Sequence, residues 1–329
     1  MDVRGPARAR VARALDGVLE VSVAGGFGSP GIRLRRRMFD WEQLPRLDGR
    51  RVVITGATSG IGRAAAAEMA GLGADVIIVG RDHERTGAAA AELAAGTGRE
   101  VSAYIADLNL VADARRVADE IAGDFEALDV LVHNAGTLSA AYELTAEGHE
   151  ATYASQVLSQ HVLTSRLLPL LSKGTDPRVI VVSSGGMYAE VLDPGTVQMP
   201  AETYDGVRAY ARAKRAQVAL NQEWARRMPD HPVAFHAMHP GWADTRGVQD
   251  SLPLFRRITR PILRSAQEGA DTIVWLAGIQ PIPAASGTFW SDRMPRGTVR
   301  LPGTGSDSAA PSALWTMVCE QTGERPDEA

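Results

Sequence analysis

The stretch TGATSGIG at residues 55–62 decides how the rest of this chain is read. It follows the short β-branched run RVVIT (51–55) and leads into the alanine-rich segment GRAAAAEMAGLG (62–73). Gly56 permits a tight turn, Gly60 lets backbone approach a pyrophosphate, and Gly62 lets helix and strand pack closely. The N–H groups at the helix start, around Ser59, Gly60 and Ile61, then face phosphate oxygens, because the first turn of a helix has no internal partners for them. Glycine turns between a strand and a helix are common. This one gains weight from the strand before it and the long helical segment after it, and it points to a dinucleotide site.

Outward from that turn, strand-like and helix-like segments alternate. ADVIIVG (74–80), VSAYIAD (101–107), LDVLVHNAG (128–136) and RVIVVSS (178–184) are short apolar runs, separated by segments with helical spacing. Nearly continuous apolar strands alternating with helices indicate a parallel sheet covered on both faces, and right-handed crossovers make it doubly wound. The expectation is an α/β, single-domain, Rossmann-type doubly wound parallel sheet over residues 49–291. A basic N-terminal extension (1–48) precedes it and an irregular C-terminal segment with a short helix (292–329) follows. The stretch at about 245–265, rich in proline and arginine around Phe255, breaks the rhythm and suits either a lid over a cleft or a surface helix pair.

Within the extension, residues 7–20 have the spacing of a short helix with Val11, Leu15, Val18 and Leu19 on one side, and AGGFGSPG (24–31) reads as a loop. The segment carries nine arginines, including the cluster RLRRR at 33–37. It is read either as a helix packed on the main domain or as an attachment to an anionic membrane surface or a partner.

The formal net charge of −4 gives no whole-protein reason to expect nucleic-acid binding. Cys319 is the single cysteine, so neither an intrachain disulfide nor a cysteine zinc cluster can form, and a reducing, cytoplasmic setting fits. No apolar run approaches the roughly 20 residues needed to span a bilayer.

The second strand bears on cofactor choice. A site for NAD(H) usually ends this strand in a carboxylate that binds the ribose hydroxyls. Here Gly80 is followed by Arg81, whose guanidinium suits a 2′-phosphate, so NADP(H) is expected over NAD(H). Asp107, at the end of the third strand, is placed either to accept from the adenine amino group or to cap the next helix.

YARAK (210–214) carries the chemistry. Of 35 basic residues only Lys173 and Lys214 are lysine, so a lysine four residues after Tyr210 stands out. A tyrosine hydroxyl can protonate a developing alkoxide, but its ordinary pKa is near 10, and a nearby cation lowers it. Residues four apart share a helix face. A compact ammonium with three donors can also hold ribose hydroxyls, which a planar guanidinium does poorly.

TGATSGIG, HNAG (133–136), SS (183–184) and YARAK, in that order, resemble the short-chain dehydrogenase/reductase family over roughly residues 49–290. VIVVSSGGMY, YDGVRAYARAKRAQVAL and MHPGWADT are similar to one branch of it in particular. The resemblance implies an NADP(H)-dependent oxidoreductase interconverting a carbonyl and an alcohol, with a small-molecule substrate. It implies that Ser184 orients the substrate oxygen toward Tyr210, that Asn134 steadies the sheet beside the cofactor, and that Pro240 and Gly241 form the turn beside nicotinamide. Thr245 takes the place of the hydroxyl that holds the carboxamide or diphosphate. Ser183 is read as structural, His133 as a packing variant of the family's asparagine, and His239 as structural rather than a base. Tyr188 and Tyr204 lack a lysine four residues on. The helix after HNAG usually carries a relay asparagine; here that position is Gln156, longer by one methylene. By analogy the long helices near 149–170 and 205–228 would pair two copies into a homodimer. Two other functions stay open: a non-catalytic NADP-binding sensor or scaffold, and a membrane-associated reductase of lipid-like substrates.

Overall fold

A computed structural model describes residues 6–244, 256–257 and 259–326. Thr245 and most of the expected lid lie outside the described residues. The strands are β1 (Arg51–Thr55), β2 (Asp75–Gly80), β3 (Val101–Ile105), β4 (Val130–His133), β5 (Arg178–Val182), β6 (Ala234–Met238), β7 (Phe289–Ser291) and β8 (Met294–Arg296). They form one sheet in the order β3-β2-β1-β4-β5-β6-β7-β8. All neighbours are parallel except β7 and β8, an antiparallel hairpin at the edge. Asp292 and Arg293 make its two-residue turn, both with positive φ (52° and 57°), as a twist-matched hairpin requires.

The apolar strand runs are continuous because both faces are buried. Val53, Ile77, Val79, Leu131, Val179, Val181 and Phe235 point into one core, while Val52, Ile54, Val76, Ile78, Val130, Val132 and Ile180 point into the other. Each such fully buried side chain stabilises the fold by about 1.5–3 kcal/mol. Helices α4 (Gly60–Gly71) and α5 (His83–Thr97) cover the second core, and α6 (Val111–Asp124) the first. A short α7 (Ala151–Tyr153) passes through a π-turn at Ala154–Leu158 into α8 (Ser159–Leu171), beside α9 (Gly206–Arg227) on the first face. Helix α10 (Ala266–Gly278) lies against α4. The last helix, α11 (Ala310–Thr322), packs on α8 and α9, with Trp315 against His161 and Trp224. It therefore covers part of the helix surface that family analogy would assign to pairing.

The N-terminal extension departs from its sequence reading at residues 24–31. AGGFGSPG is not a loop: α2 (Val23–Phe27) and α3 (Ser29–Met38) meet there at Gly28, following α1 (Pro6–Val21). The bend is possible because helix backbones touch at Gly31, where a Cβ would lie 1.7 Å from the Gly25 carbonyl oxygen. Helix α1 also docks by its charged side. Ala12 and Asp16 are buried, whereas Val11, Leu15 and Val18 are exposed. Asp16 binds Arg35 (2.6 Å) and Arg296 (2.7 Å), and Glu20 binds Arg35 (2.9 Å). Arg35 continues to Asp292 (2.6 Å), which also holds Arg264 (2.6 Å). These ion pairs strap the extension to the β7–β8 turn, and Arg35, Arg264 and Asp292 are essentially inaccessible to solvent.

Candidate active site

The strand order reverses between β1 and β4, and in such sheets ligands bind beyond the carboxyl ends of the strands at that point. A cleft of about 1080 Å³ opens there. Its floor is built from absent side chains. A Cβ on Gly56 would lie 2.8 Å from the Ala135 Cα, and one on Gly62 would lie 2.3 Å from Asn134 Nδ2 and 2.6 Å from the Gly56 carbonyl. Gly56 and Gly60 both have positive φ (70° and 57°). Ser59 is the N-cap of α4 yet makes no side-chain cap, leaving the first-turn N–H groups for a ligand; Ser59, Gly60 and Ile61 all line the cleft. A volume at the upper end of the usual ligand range and a glycine floor at a helix start both fit a dinucleotide.

Asn134 steadies this floor. Its Nδ2 donates to the carbonyls of Thr55 (2.9 Å) and Gly56 (3.2 Å), and Thr55 Oγ1 accepts from Asn134 N and Ala135 N. Arg81 is exposed on the rim at the end of β2 and lines the cleft. The neighbouring Asp82 is occupied as the N-cap of α5, accepting from Arg85 N (2.8 Å). Asp107 lines the cleft, and its Oδ1 accepts from Asn109 N (3.1 Å). It does not cap α6, whose first N–H groups are met by Glu147.

At the other end of the cleft α9 presents Tyr210 and Lys214, and the end of β5 presents Ser184. The Ser184 side chain neighbours the Tyr210 hydroxyl. Its Oγ accepts from Gly186 N (3.2 Å). Ser183 donates instead to the Lys214 carbonyl (2.9 Å), a structural bond. Lys214 is buried; its Nζ donates to the Val182 carbonyl and to Gln217 Oε1, both at 2.9 Å, and sits 5.4 Å from the centre of the Tyr210 ring. Burial pushes the Lys214 ammonium down to about 7. Burial pushes Tyr210 up to about 12, against the lowering effect of neighbouring Ser184. The expected depression of the tyrosine by its lysine is therefore absent in this arrangement. The ammonium's own charge is weakened by burial, and its hydrogen bonds lead elsewhere.

Gln156 lies in the π-turn, where helices often carry functional side chains. Its Nε2 donates to the Thr137 carbonyl (3.0 Å), and its own carbonyl accepts from Gln217 Nε2 (2.8 Å). Gln156 Oε1 is buried with no partner. A Cβ on Gly136 would lie 3.1 Å from both Gln156 Oε1 and Lys214 Nζ, so the two atoms border one small gap.

His133 is buried against Thr164 Oγ1 (2.8 Å) and held down to about 3 by burial. His239 is also held down to about 3, first by burial and then by Arg264; its Nδ1 accepts from Gly241 N (3.2 Å). Tyr188 donates to the Gly297 carbonyl, and Tyr204 lies within reach of the Ser139 carbonyl; neither lines the cleft. Pro240 and Gly241 (φ 73°) do line it, with Trp242.

Three residues escaped the sequence reading. Arg85 joins Arg81 on the rim, one helical turn on, a spacing that RDHER displays. Gln217, three residues after Lys214, ties it to Gln156. Phe27, from the extension, stacks on Trp242 (5.6 Å between ring centres, 16° between planes) and accepts from Trp242 N through its carbonyl (2.8 Å). Its ring also fills the space over Gly185, where a Cβ would come within 2.2 Å of it. Nothing local in the sequence marks Phe27.

The short chain dehydrogenase family model matches residues 50–253. The chain belongs to that family. This short-chain dehydrogenase is 41% identical over 256 residues to dehydrogenase/reductase SDR family member 12 of Bos taurus, covering 77% of this chain and 80% of that protein. It is 33% identical over 311 residues to retinol dehydrogenase 14 of Homo sapiens, covering 86% and 89%. Among solved structures it is similar to a short chain dehydrogenase of Burkholderia cenocepacia J2315 in complex with NADP. That likeness has a TM-score of 0.61 and 28% identity, over 74% of this chain and 96% of the other. As a member of the family, the dehydrogenase is an oxidoreductase acting on CH–OH or C=O groups of small molecules.

Proposed function

We propose that this dehydrogenase interconverts a carbonyl and an alcohol with NADP(H), using Tyr210 as acid and base. The observation that carries this reading is the convergence of Ser184, Tyr210 and Lys214 at one end of a cleft whose other end is a glycine floor with arginines on its rim. When bound, NADP(H) gives or takes a hydride at its nicotinamide. Gly56, Ser59, Gly60, Ile61 and Gly62 seat the pyrophosphate, and Asn134 keeps that floor in register. Arg81, with Arg85 one turn on, meets the 2′-phosphate and sets the preference over NAD(H). Asp107 meets the adenine, and Pro240 and Gly241 border the nicotinamide. The NADP in the Burkholderia neighbour supports this cofactor.

At the reacting end, Ser184 holds the substrate oxygen and Tyr210 supplies its proton. A Tyr210 hydroxyl held near 12 is a reluctant donor. Recharging Lys214 with ribose hydroxyls as acceptors lowers it, since a full positive charge beside the ring favours phenolate. Gln156 takes the relay position. Its unpartnered Oε1 and Lys214 Nζ share the gap beside Gly136, and Gln217 completes the link.

Two other readings differ in what they predict. A non-catalytic NADP-binding role is disfavoured because donor, orienting hydroxyl and ammonium all border one cleft. A lipid-like substrate is favoured by the exposed Val207, which lines the cleft, and by the retinol named in one relative. The test is oxidation of NADPH, with NADH alongside, against aldehydes, ketones, quinones, steroids and retinoids. Tyr210→Phe is expected to lower turnover by about 10²–10⁴-fold with cofactor binding retained. Equal turnover in the phenylalanine variant would remove Tyr210 from the chemistry, and binding of NADPH without turnover on any carbonyl would favour the sensor.

A further inference from the structure

The extension presents an apolar surface in an unusual way. Val11, Leu15, Val18 and Val21 follow one stripe of α1 and are between 49% and 88% exposed. Leu34 on α3 is exposed too, as are Val299 and Leu301. These last two flank Arg300, whose guanidinium binds the Glu20 carbonyl at the end of α1. Seven of the ten large exposed hydrophobic residues of the described chain thus belong to the extension or to the segment tied to it.

This orientation is imposed rather than incidental. A surface helix normally turns its apolar stripe inward. Here Asp16 and Glu20 lie on the other side of α1 and are held by Arg35, Arg296 and Arg300. Rolling α1 to bury its valines would break those pairs and strip the mostly buried Arg296 of its partners Asp16 and Glu20. The ionic strap therefore fixes the stripe outward.

We infer that this face rests on an anionic lipid surface, with α1 lying in the plane of the interface. The charge around the stripe selects that occupant. Arg10 and Arg13 are exposed on α1 and Arg37 is exposed one turn from Leu34, while the two carboxylates of α1 are turned inward. An apolar stripe with arginine on the polar side is the pattern of an interfacial helix, and each arginine near anionic headgroups adds to the attraction. A second copy is a poorer occupant. A two-fold contact sets a patch against itself, bringing arginines together with no exposed α1 carboxylate to answer them. Among the described residues no helix is long and apolar enough to cross a membrane, so the contact is a resting one.

The inference stands apart from the reaction proposed above, and its test needs no substrate. The full chain is spun with vesicles of phosphatidylcholine alone and with vesicles that also contain phosphatidylglycerol. It should sediment with the second kind and not the first, and release as salt is raised. Replacing Val11, Leu15 and Val18 together by serine should lower the bound fraction about tenfold or more, and Arg10→Gln with Arg13→Gln should do so by a similar factor. All five positions are exposed, so thermal melting and NADPH binding should be unchanged. Failure of the native chain to bind either vesicle, or equal binding by the serine variant, would overturn the inference. So would a dimer in sedimentation equilibrium that the serine variant dissolves, since the face would then join two copies.

Discussion

Lys214 is the residue at which structure and chemistry pull hardest against each other. It is the cation that an arginine-rich chain keeps after Tyr210, and it is buried deeply enough to bring its pKa down to about 7. At pH 8 most of it is neutral, whereas a lysine that donates to ribose hydroxyls must be charged. Cofactor binding at pH 8 should therefore take up protons. Titration calorimetry in two buffers of different ionisation enthalpy would read this as unequal heats, and Lys214→Met should equalise them. The sign is fixed: the pKa is depressed in the free protein and rises on binding, so uptake grows as pH climbs above 7. Equal heats for the native chain would mean that Lys214 keeps its charge throughout. Tyr210 and Lys214 stood out in the sequence by their local spacing, and Ser184 through the resemblance in motif order. Gln217 was not, because a glutamine on a helix has no signature until its neighbours are known.

At the scale of elements, the strands and glycine turn could be read directly, since β-branched runs and a strand–turn–helix pattern are local signals. The extension could not. Its loop-like glycines proved to be the crossing of α2 and α3, and the inward face of α1 is set by Arg296 and Arg300, about 280 residues away. Such long-range charge pairing overrides amphipathic spacing and leaves no local trace. The same element brings Phe27 under Trp242, a wall of the cleft. Phe27→Ala keeps the backbone bond to Trp242 N but removes the stack, worth about 0.5–1.5 kcal/mol. The KM for a carbonyl substrate should rise by up to about tenfold, with kcat and NADPH affinity changed less, and Phe27→Tyr should restore it. A fall in kcat alone, or no recovery with tyrosine, would show that the ring does not position that wall.

For the whole molecule, the doubly wound sheet followed from alternation alone, but the way its ends are fastened did not. Asp292 sits between two buried guanidinium groups. Burial would raise its pKa, yet Arg264 and Arg35 hold the carboxyl below its ordinary 3.8. A depressed carboxylate contributes stability that is complete above that ordinary value and is lost as pH falls through the folded one. Asp292→Asn should cost about 3–5 kcal/mol in denaturant melts at neutral pH, because Arg264 stays buried without a counter-charge while Arg35 keeps Asp16 and Glu20. A loss under 1 kcal/mol would mean that the strap is held by packing instead. The pairing of long helices expected by analogy meets α11, which covers part of both; no local pattern in the sequence says where a terminal helix will lie.

The bond between Arg35 and Asp292 joins residues 257 positions apart. A ribosome releases Arg35 well before Asp292, so the earlier segment can be fastened only after the later one has emerged. Until then α1 to α3 have only the pairs of Arg35 with Asp16 and Glu20, without Asp292 or the turn at Gly241 to lean on, and long-separated contacts of this kind form slowly. During synthesis the extension is therefore fastened to the sheet only once the β7–β8 turn has been made.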